Sequence, residues 1–411
     1  MCGIAGFVND MPIDVKCPVL QRMTDMIAHR GPDSEGHYID EHAALGHRRL
    51  SIIDLGGGQQ PIYNEDGSKV ITFNGEIYNY QTLREELIAA GHTFTTKSDT
   101  EVLLHGYEQW GVDLLQRVRG MFTFVIWDKN KQELFGARDH FGIKPFYYAK
   151  MNGTFMYASE IKSLLRHPDF VKELNAEALK PYMTFQYPAI GETFFKGVYK
   201  LPEGHYFTYR DGKMDIHRYY DEDFREGKQK LGELVNSIDQ TVCDSVKAHQ
   251  IADVEVGSFL SSGVDSSYVA AVARPQHTYS IGFGKGTYNE SQQAGELAEL
   301  LKLNNTAESL TDEEAFAAFP RIQWHLDEPD SNPSCVPLYF LSALAAKDVK
   351  VVLSGEGADE LFAGYIDYGV HTKFRPIKVV TRWLTHLPAG ARKAIARFCK
   401  GKTFPGAWHL Y

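Results

Sequence analysis

Long apolar runs are missing from this chain. Its most apolar stretches, such as Tyr268–Ala273 and Leu341–Ala346, fall far short of the ~18–20 residues a membrane span needs. Basic charge is also scarce: 43 Lys and Arg stand against 53 Asp and Glu, a net charge of −10, with no basic stripe to track a phosphate backbone. These absences argue against membrane and nucleic-acid partners. Cysteine is sparse and odd in number. Cys2, Cys17, Cys243, Cys335 and Cys399 are scattered without a CxxC pair, which excludes a disulfide framework and a cysteine zinc site. Among the 16 histidines no HExxH pair occurs, and His42 with His47 lacks helical spacing. The first residues, Met1–Phe7, have neither the basic start nor the apolar core of a secretory signal, so a cytoplasmic protein is expected. Internal repeats and low-complexity tracts are absent too.

What is present divides the chain in two. With 411 residues and ~100–200 per domain, two or three domains are expected. Up to residue 210, short β-branched and aromatic runs (Val70–Asn74, Gly120–Trp127, Glu133–Ala137, Phe146–Ala149, Thr154–Ala158, His205–Tyr209) read as strands of a largely antiparallel core. Pro18–Ala28, Tyr80–Ala90 and Thr100–Gly111 carry apolar residues at three- and four-residue steps and read as helices. The charged stretch Asp211–Lys230 reads as a connector. Beyond it, helices Leu231–Ile251, Ser266–Ala273 and Asn289–Lys302 alternate with strands Val254–Leu260, His277–Phe283 and Val349–Leu353. This is the pattern of a parallel sheet covered by helices.

Chemistry-bearing residues occur in both parts. Removal of Met1 would leave Cys2 with its thiol beside its own α-amine, whose pKa values of ~8.5 and ~7.7–8 allow proton transfer near neutrality, the requirement for an N-terminal nucleophile. A small residue after the initiator is the plain alternative for Cys2 alone. Asn74-Gly-Glu76 follows a strand and offers a side-chain amide and a backbone N–H for an oxyanion. Arg49 offers a bidentate fork for a carboxylate, and Glu76 and Asp99 offer anions for an ammonium.

Cys2-Gly-Ile-Ala-Gly6, His29-Arg-Gly-Pro-Asp33, Arg49-Leu-Ser-Ile52, Asn74-Gly-Glu-Ile-Tyr-Asn79 and Ser98-Asp-Thr-Glu101 resemble the amidotransferase half of glutamine-hydrolysing asparagine synthetases. So do Gly120-Met-Phe-Thr-Phe124, Arg138-Asp-His-Phe-Gly-Ile-Lys-Pro145 and Leu201-Pro-Glu-Gly-His205. The resemblance implies an αββα N-terminal-nucleophile (Ntn) hydrolase sandwich over residues 2–210. In it Cys2 would attack glutamine, Asn74 and Gly75 would form the oxyanion hole, and Arg49, Ile53, Glu76 and Asp99 would hold the amino acid.

In the second part, Phe259-Leu-Ser-Ser-Gly-Val-Asp-Ser-Ser267 lies between a strand and a helix, with small residues where N–H groups can approach an anion. A serine-rich helix cap is the plain alternative, and GxxxxGK[ST] spacing is absent. The loop resembles the SGGxDS pyrophosphate loop of ATP pyrophosphatases, with Ser262 in place of the first glycine; binding is expected to survive if no positive φ is needed there. Val351-Val-Leu-Ser-Gly-Glu-Gly-Ala-Asp-Glu360 resembles the SGEGxDE segment of asparagine synthetases. Residues 231–411 are thus expected to be an α/β ATP-pyrophosphatase domain. The resemblance implies that Leu260 and Ile281 border adenine, and that Ser261, Ser262, Gly263, Asp265, Ser266, Ser354 and Gly355 lie near the phosphates. Asp265 and Asp359 would take Mg2+, and Glu356 would assist the chemistry of a β-aspartyl-AMP intermediate. Gly282-Phe-Gly-Lys-Gly286 misses GxGxxG and reads as a turn.

The family's Arg-x-Pro-Phe-Leu-Asp and Lys-x-x-Leu-Arg segments are not found. Thr372–Leu387 is basic and amphipathic, Ala389–Lys402 follows, and the chain ends in the Gly406–Tyr411 tail, so a truncated synthetase half is expected. The resemblance implies glutamine, aspartate and ATP as substrates and allows a homodimer. Four readings stay open: asparagine synthesis from ammonia passed through an internal channel, glutamine hydrolysis alone, a non-catalytic sensor of glutamine or ATP, and amidation of another carboxylate.

Overall fold

The computed structural model describes residues 1–187, 189–223, 225, 227–283, 290–365, 388, 390 and 391. The segments Thr372–Leu387 and Gly406–Tyr411, and all of Ala389–Lys402 but residues 390 and 391, lie outside the described residues, as do Gly284, Lys285, Gly286 and Asn289.

The first part is a sandwich of two six-stranded antiparallel sheets. In spatial order the first sheet holds Val198–Lys200, Tyr147–Met151, Thr154–Ala158, Gly3–Val8, Ala43–Arg49 and Ser34–Ile39. The second holds Lys213–Arg218, His205–Arg210, Glu133–Arg138, Gly120–Asp128, Lys69–Ile77 and Ile62–Tyr63. Alternation along each strand sends successive side chains to opposite faces. Val125 and Trp127 meet Ile4, Phe155 and Tyr157 between the sheets. Phe122, Phe124 and Ile126 point outward, under helices Tyr80–Ala89 and Asp99–Trp110. On the other side Ala5, Phe7, Met156 and Ala158 lie under helices Ile13–Asp25 and Ile161–Leu164. The layers are helix, sheet, sheet, helix: the expected αββα Ntn sandwich.

Three local expectations change. The helix expected over Pro18–Ala28 runs from Ile13 to Asp25 with Pro18 inside it; burial of Val19, Leu20 and Met23 against the first sheet overrides the proline signal. The strands Gly3–Val8 and Ala43–Arg49 were not expected, because glycine and alanine dilute their apolar pattern. At Gly6 the smallness is required, since a Cβ there would lie 2.5 Å from the Tyr157 hydroxyl. Part of the expected connector Asp211–Lys230 is also folded. Asp211 and Gly212 both have positive φ, forming a tight turn that folds Lys213–Arg218 back antiparallel onto His205–Arg210.

The second part is a four-stranded parallel sheet in the order Asn304–Leu310, His277–Phe283, Val256–Phe259 and Val351–Leu353. Helices Leu231–Ala248 and Val264–Ala273 pack on one face beside Val256 and Leu353. Helix Cys335–Ala345 packs on the opposite face beside Phe259 and Val352. Among the described residues no helix is long and apolar enough to cross a membrane.

Candidate functional site

Three strand ends of the sandwich converge on one cavity of about 340 Å³. Cys2 precedes the strand Gly3–Val8, Arg49 ends Ala43–Arg49, and Asn74, Gly75 and Glu76 lie near the end of Lys69–Ile77. All five line the cavity with Ile53 and Asp99. The Cys2 Sγ accepts from the Leu50 N–H at 3.4 Å, and the Arg30 Nε–H donates to the Cys2 carbonyl at 3.0 Å. Burial pushes the thiol pKa up, opposed by its contact with Leu50.

Asn74 is 1% exposed, and neither its amide oxygen nor its amide nitrogen has a hydrogen-bond partner within the protein. Leaving such a group unpaired costs ~1–3 kcal/mol, which makes it ready to meet a ligand. Its approach is fixed by Gln60, whose side chain accepts from the Phe73 N–H at 2.6 Å and donates to the Phe73 carbonyl at 3.2 Å. Arg49 donates to the carbonyls of Ile53 at 3.1 Å, Asp54 at 2.6 Å and Leu55 at 3.4 Å. The loop thus holds the guanidinium in one orientation.

Asp99 opens the helix Asp99–Trp110, with the Ser98 hydroxyl accepting from the Thr100 N–H at 3.2 Å. The Ile77 N–H donates to the Asp99 carboxylate at 3.0 Å. Burial raises Asp99 to about 6 despite that bond. Burial, then the neighbouring Asp99, raises Glu76 to about 7. Two carboxylates in low dielectric resist double ionisation, so the pair is primed for a cation.

Lys144 was not singled out by sequence, although it lies in the quoted Arg138–Pro145 motif. It lines the same cavity, 3% exposed, and burial lowers it to about 8 against the field of Glu76. A local cradle places it there. Asp139 accepts from the N–H groups of Phe141, Ile143 and Lys144, and Arg138 Nε–H donates to the Lys144 carbonyl at 2.7 Å. Met1 also lines the cavity, and burial lowers its amine to about 5.

A second cavity of about 310 Å³ opens at the carboxyl ends of the parallel strands, where such sheets bind ligands. Leu260, Ser261, Gly263, Asp265, Ser266 and Ile281 line it together with Ser354, Gly355, Glu356 and Asp359. The two loops touch: a Cβ on Gly355 would lie 2.8 Å from both the Asp265 Cβ and the Ser266 nitrogen. The Ser266 hydroxyl accepts from the Ser261 N–H at 3.1 Å, and the Ser261 hydroxyl accepts from the Gly263 N–H at 3.1 Å, closing the first loop before helix Val264–Ala273. Ser262 is exposed and is not among the wall residues. Its φ is outside the left-handed region, so a serine sits there without backbone strain. Asp265 and Asp359 bring one carboxylate from each loop to the same cavity, a hard-oxygen donor set that suits Mg2+ with phosphates.

A third cavity, about 690 Å³, lies between the two parts. It shares Glu76, Met121, Val351 and Val352 with the first cavity and Asp265, Ser354, Gly355, Glu356 and Gly357 with the second. Ile238, Val242, Val246, Val269 and Leu361 supply much of the remaining wall. Several contacts clasp the halves around it. Lys350 Nζ pairs with Asp33 at 2.6 Å, Arg119 pairs with Asp244 at 2.7 Å, and the Asp54 N–H donates to the Asp253 carboxylate at 2.7 Å.

The family profile described as glutamine amidotransferase domain matches residues 1–220, and that described as asparagine synthase matches residues 237–402. A glutamine-hydrolysing asparagine synthetase of Bacillus subtilis strain 168 is 42% identical over 96% of this chain and 62% of its own length. A Mycobacterium tuberculosis H37Rv protein with a provisional name of the same kind is 38% identical, over 98% of this chain and 66% of its own length. A Methanocaldococcus jannaschii protein, likewise provisionally named, is 34% identical over 90% of this chain and 76% of its own length. The chain therefore spans 62–66% of the length of the first two relatives.

Proposed function

The chain belongs to the glutamine-hydrolysing asparagine synthetase family, and from that premise we propose that it makes L-asparagine from L-aspartate, ATP and glutamine-derived ammonia. The supporting observation is the intermediate cavity, whose wall is shared with both the Cys2 cavity and the loop cavity.

With Met1 removed, the Cys2 amine takes the thiol proton and Sγ attacks the glutamine carboxamide carbon. The unpaired Asn74 Nδ2–H and the Gly75 N–H receive the oxyanion. Arg49 holds the substrate carboxylate, while Glu76 and Asp99 face its ammonium, with Ile53 against the chain. As the intermediate collapses and the C–N bond breaks, the Cys2 ammonium returns its proton to the departing nitrogen, which leaves as ammonia; water then adds to the thioester, glutamate leaves and the thiol is regenerated. The largely aliphatic wall of the intermediate cavity offers ammonia few hydrogen-bonding partners, which favours passage of the neutral molecule.

At the other end, Leu260 and Ile281 border the adenine, and the loop N–H groups with Ser261, Gly263, Ser266, Ser354 and Gly355 surround the phosphates, Ser262 lying in the same loop outside the cavity wall. Asp265 and Asp359 would hold Mg2+, which when bound offsets phosphate charge. An oxygen of the aspartate β-carboxylate attacks the α-phosphorus, and pyrophosphate leaves. Ammonia then attacks the β-aspartyl-AMP carbonyl and AMP leaves, with Glu356, shared by the loop and intermediate cavities, placed to take the surplus proton. A cytoplasmic setting and a homodimer belong to the same proposal.

Incubation with glutamine, aspartate and MgATP tests it. Asparagine, AMP and glutamate are the expected products. Cys2→Ala should abolish the glutamine-driven reaction and leave the ammonia-driven one intact. Glutamate without AMP would reduce the protein to a glutaminase, and AMP without asparagine would point to another carboxylate.

A further inference from the structure

Away from all three cavities, four potential metal ligands from three separate segments meet on the outer side of the sandwich. Glu65 lies in the turn before strand Lys69–Ile77, His92 follows helix Tyr80–Ala89, and His105 and Glu108 stand one turn apart on helix Asp99–Trp110. One ligand atom from each lies within 4.8 Å of all the others. His92 Nδ1 is 3.0 Å from one Glu65 oxygen, and His105 Nδ1 is 3.2 Å from the other and 3.0 Å from Glu108 Oε2. A tetrahedral site with bonds of ~2.1 Å spaces its ligands by about 3.4 Å, so small side-chain adjustments would admit an ion.

The orientation of His105 is the decisive feature. The residue is fully buried, and its Nε2 faces Glu101 Oε1 at 3.5 Å. Glu101 is itself fixed by the N–H groups of Thr95 and Thr96, each at 2.7 Å, and by both threonine hydroxyls. The Nε2 makes no hydrogen bond, whereas Nδ1 faces both Glu108 at 3.0 Å and Glu65 at 3.2 Å; wherever the ring is neutral with its hydrogen on Nε2, a cation is needed between the Nδ1 lone pair and those carboxylates. Burial opposes charge on His105, but the carboxylates of Glu101, Glu108 and Glu65 around it raise it to about 9, so a proton could serve as that cation. A proton satisfies one pair of groups. The second imidazole, His92, brings its own Nδ1 to Glu65 Oε1 at 3.0 Å, and a single ion at the centre would replace both contacts. Asn64 Nδ2–H occupies Glu108 Oε1 at 2.6 Å, with Lys69 Nζ at 3.5 Å, which leaves Oε2 for the cluster.

We propose that Glu65, His92, His105 and Glu108 bind one divalent transition-metal ion, zinc by the N2O2 donor set. Two carboxylates and two neutral imidazoles balance its charge, and Glu101 is the outer carboxylate that orients a metal-bound histidine. The ion would tie two surface turns to the helix whose first residue, Asp99, lines the Cys2 cavity. It has a structural role: four protein ligands leave no open position.

The test uses the full chain carrying Cys2→Ala and Asp265→Asn, which removes a competing thiol and a competing carboxylate. After chelator dialysis, ZnCl2 or CoCl2 is added, and bound metal, Co2+ visible absorption and melting temperature are read. We expect about one equivalent bound, a tetrahedral Co2+ spectrum and a higher melting temperature. All three should be lost in Glu65→Gln and His92→Ala, whose side chains lie toward the surface and can change without emptying the core. Less than about a tenth of an equivalent bound, or equal binding by those variants, would overturn the site. A His105 titrating near 9 and indifferent to Zn2+ would likewise assign the cluster to a buried imidazolium.

Discussion

The Cys2 cavity and the cavity at the carboxyl ends of the parallel strands are walled in opposite ways. Around Cys2 the working groups are buried, with Arg49, Asn74, Glu76 and Asp99 between 1% and 6% exposed. In the two loops at the second cavity Ser262, Gly263, Ser354 and Glu356 are open to solvent, and Asp265 and Asp359 are half-buried. The first cavity uses low dielectric to tune charge, raising Asp99 and Glu76 toward neutrality and lowering Lys144. The second, on the proposed function, would rely on backbone direction, with N–H groups and a helix start turned toward an anion whatever the pH. A small amino acid needs its two charged ends recognised in a dry pocket, whereas a polyphosphate brings enough charge to organise an open one.

The sharpest break of this contrast comes from Asn74→Ala. Removing a preorganised donor from a dry site should lower kcat for glutamine hydrolysis by ~10²–10³ with little change in KM, while ammonia-driven turnover stays constant; steady-state kinetics with the two nitrogen donors checks it. Asp265→Asn should do the reverse, reducing AMP formation on the order of tenfold or more, about 1.4 kcal/mol of transition-state stabilisation. Glutamate release measured in the same sample should hold.

The smallest effect is one of pH. On the proposed function Glu76 and Asp99, raised to about 7 and about 6, must be charged to hold an ammonium. The KM for glutamine should therefore rise severalfold as pH falls through that window. Glu76→Gln should remove the upper step and raise KM at pH 8. Stability moves the other way. A carboxyl whose folded pKa is raised binds protons more tightly when folded, so stability is lost as pH climbs from its ordinary value near 4.5 to about 7. The variant, free of that loss, should melt higher than wild type at pH 8, as differential scanning fluorimetry would show.

Sequence patterning exposed those parts of the fold where burial is written locally. Gly120–Asp128 is legible because both of its faces are apolar, one under helices and one between sheets. Gly3–Val8 and Ala43–Arg49 hide because close packing demands small residues. Asn304–Leu310 hides because it is an edge strand whose side chains are mostly exposed, and Lys213–Arg218 because charge masks a hairpin partner. The site residues announced themselves through motifs beside strand ends. Lys144 did not, since its burial depends on the Arg138–Asp139 cradle. The Glu65–His92–His105–Glu108 cluster is invisible along the chain except as two ligands three apart on one helix, the other two arriving from separate turns.

The strand Val351–Leu353 deserves a last consequence. Lys350, Val351 and Val352 stand in the wall of the Cys2 cavity, and beyond Leu353 the residues Ser354 and Gly355 line the second cavity. One strand is therefore a partition with a different chemistry at each end. A slip of a single residue, ~3.3 Å along its axis, would displace both walls together. The Cys2 pocket is accordingly not the property of the sandwich alone: cut free at its family boundary near residue 220, the sandwich would lose one side of its own chamber.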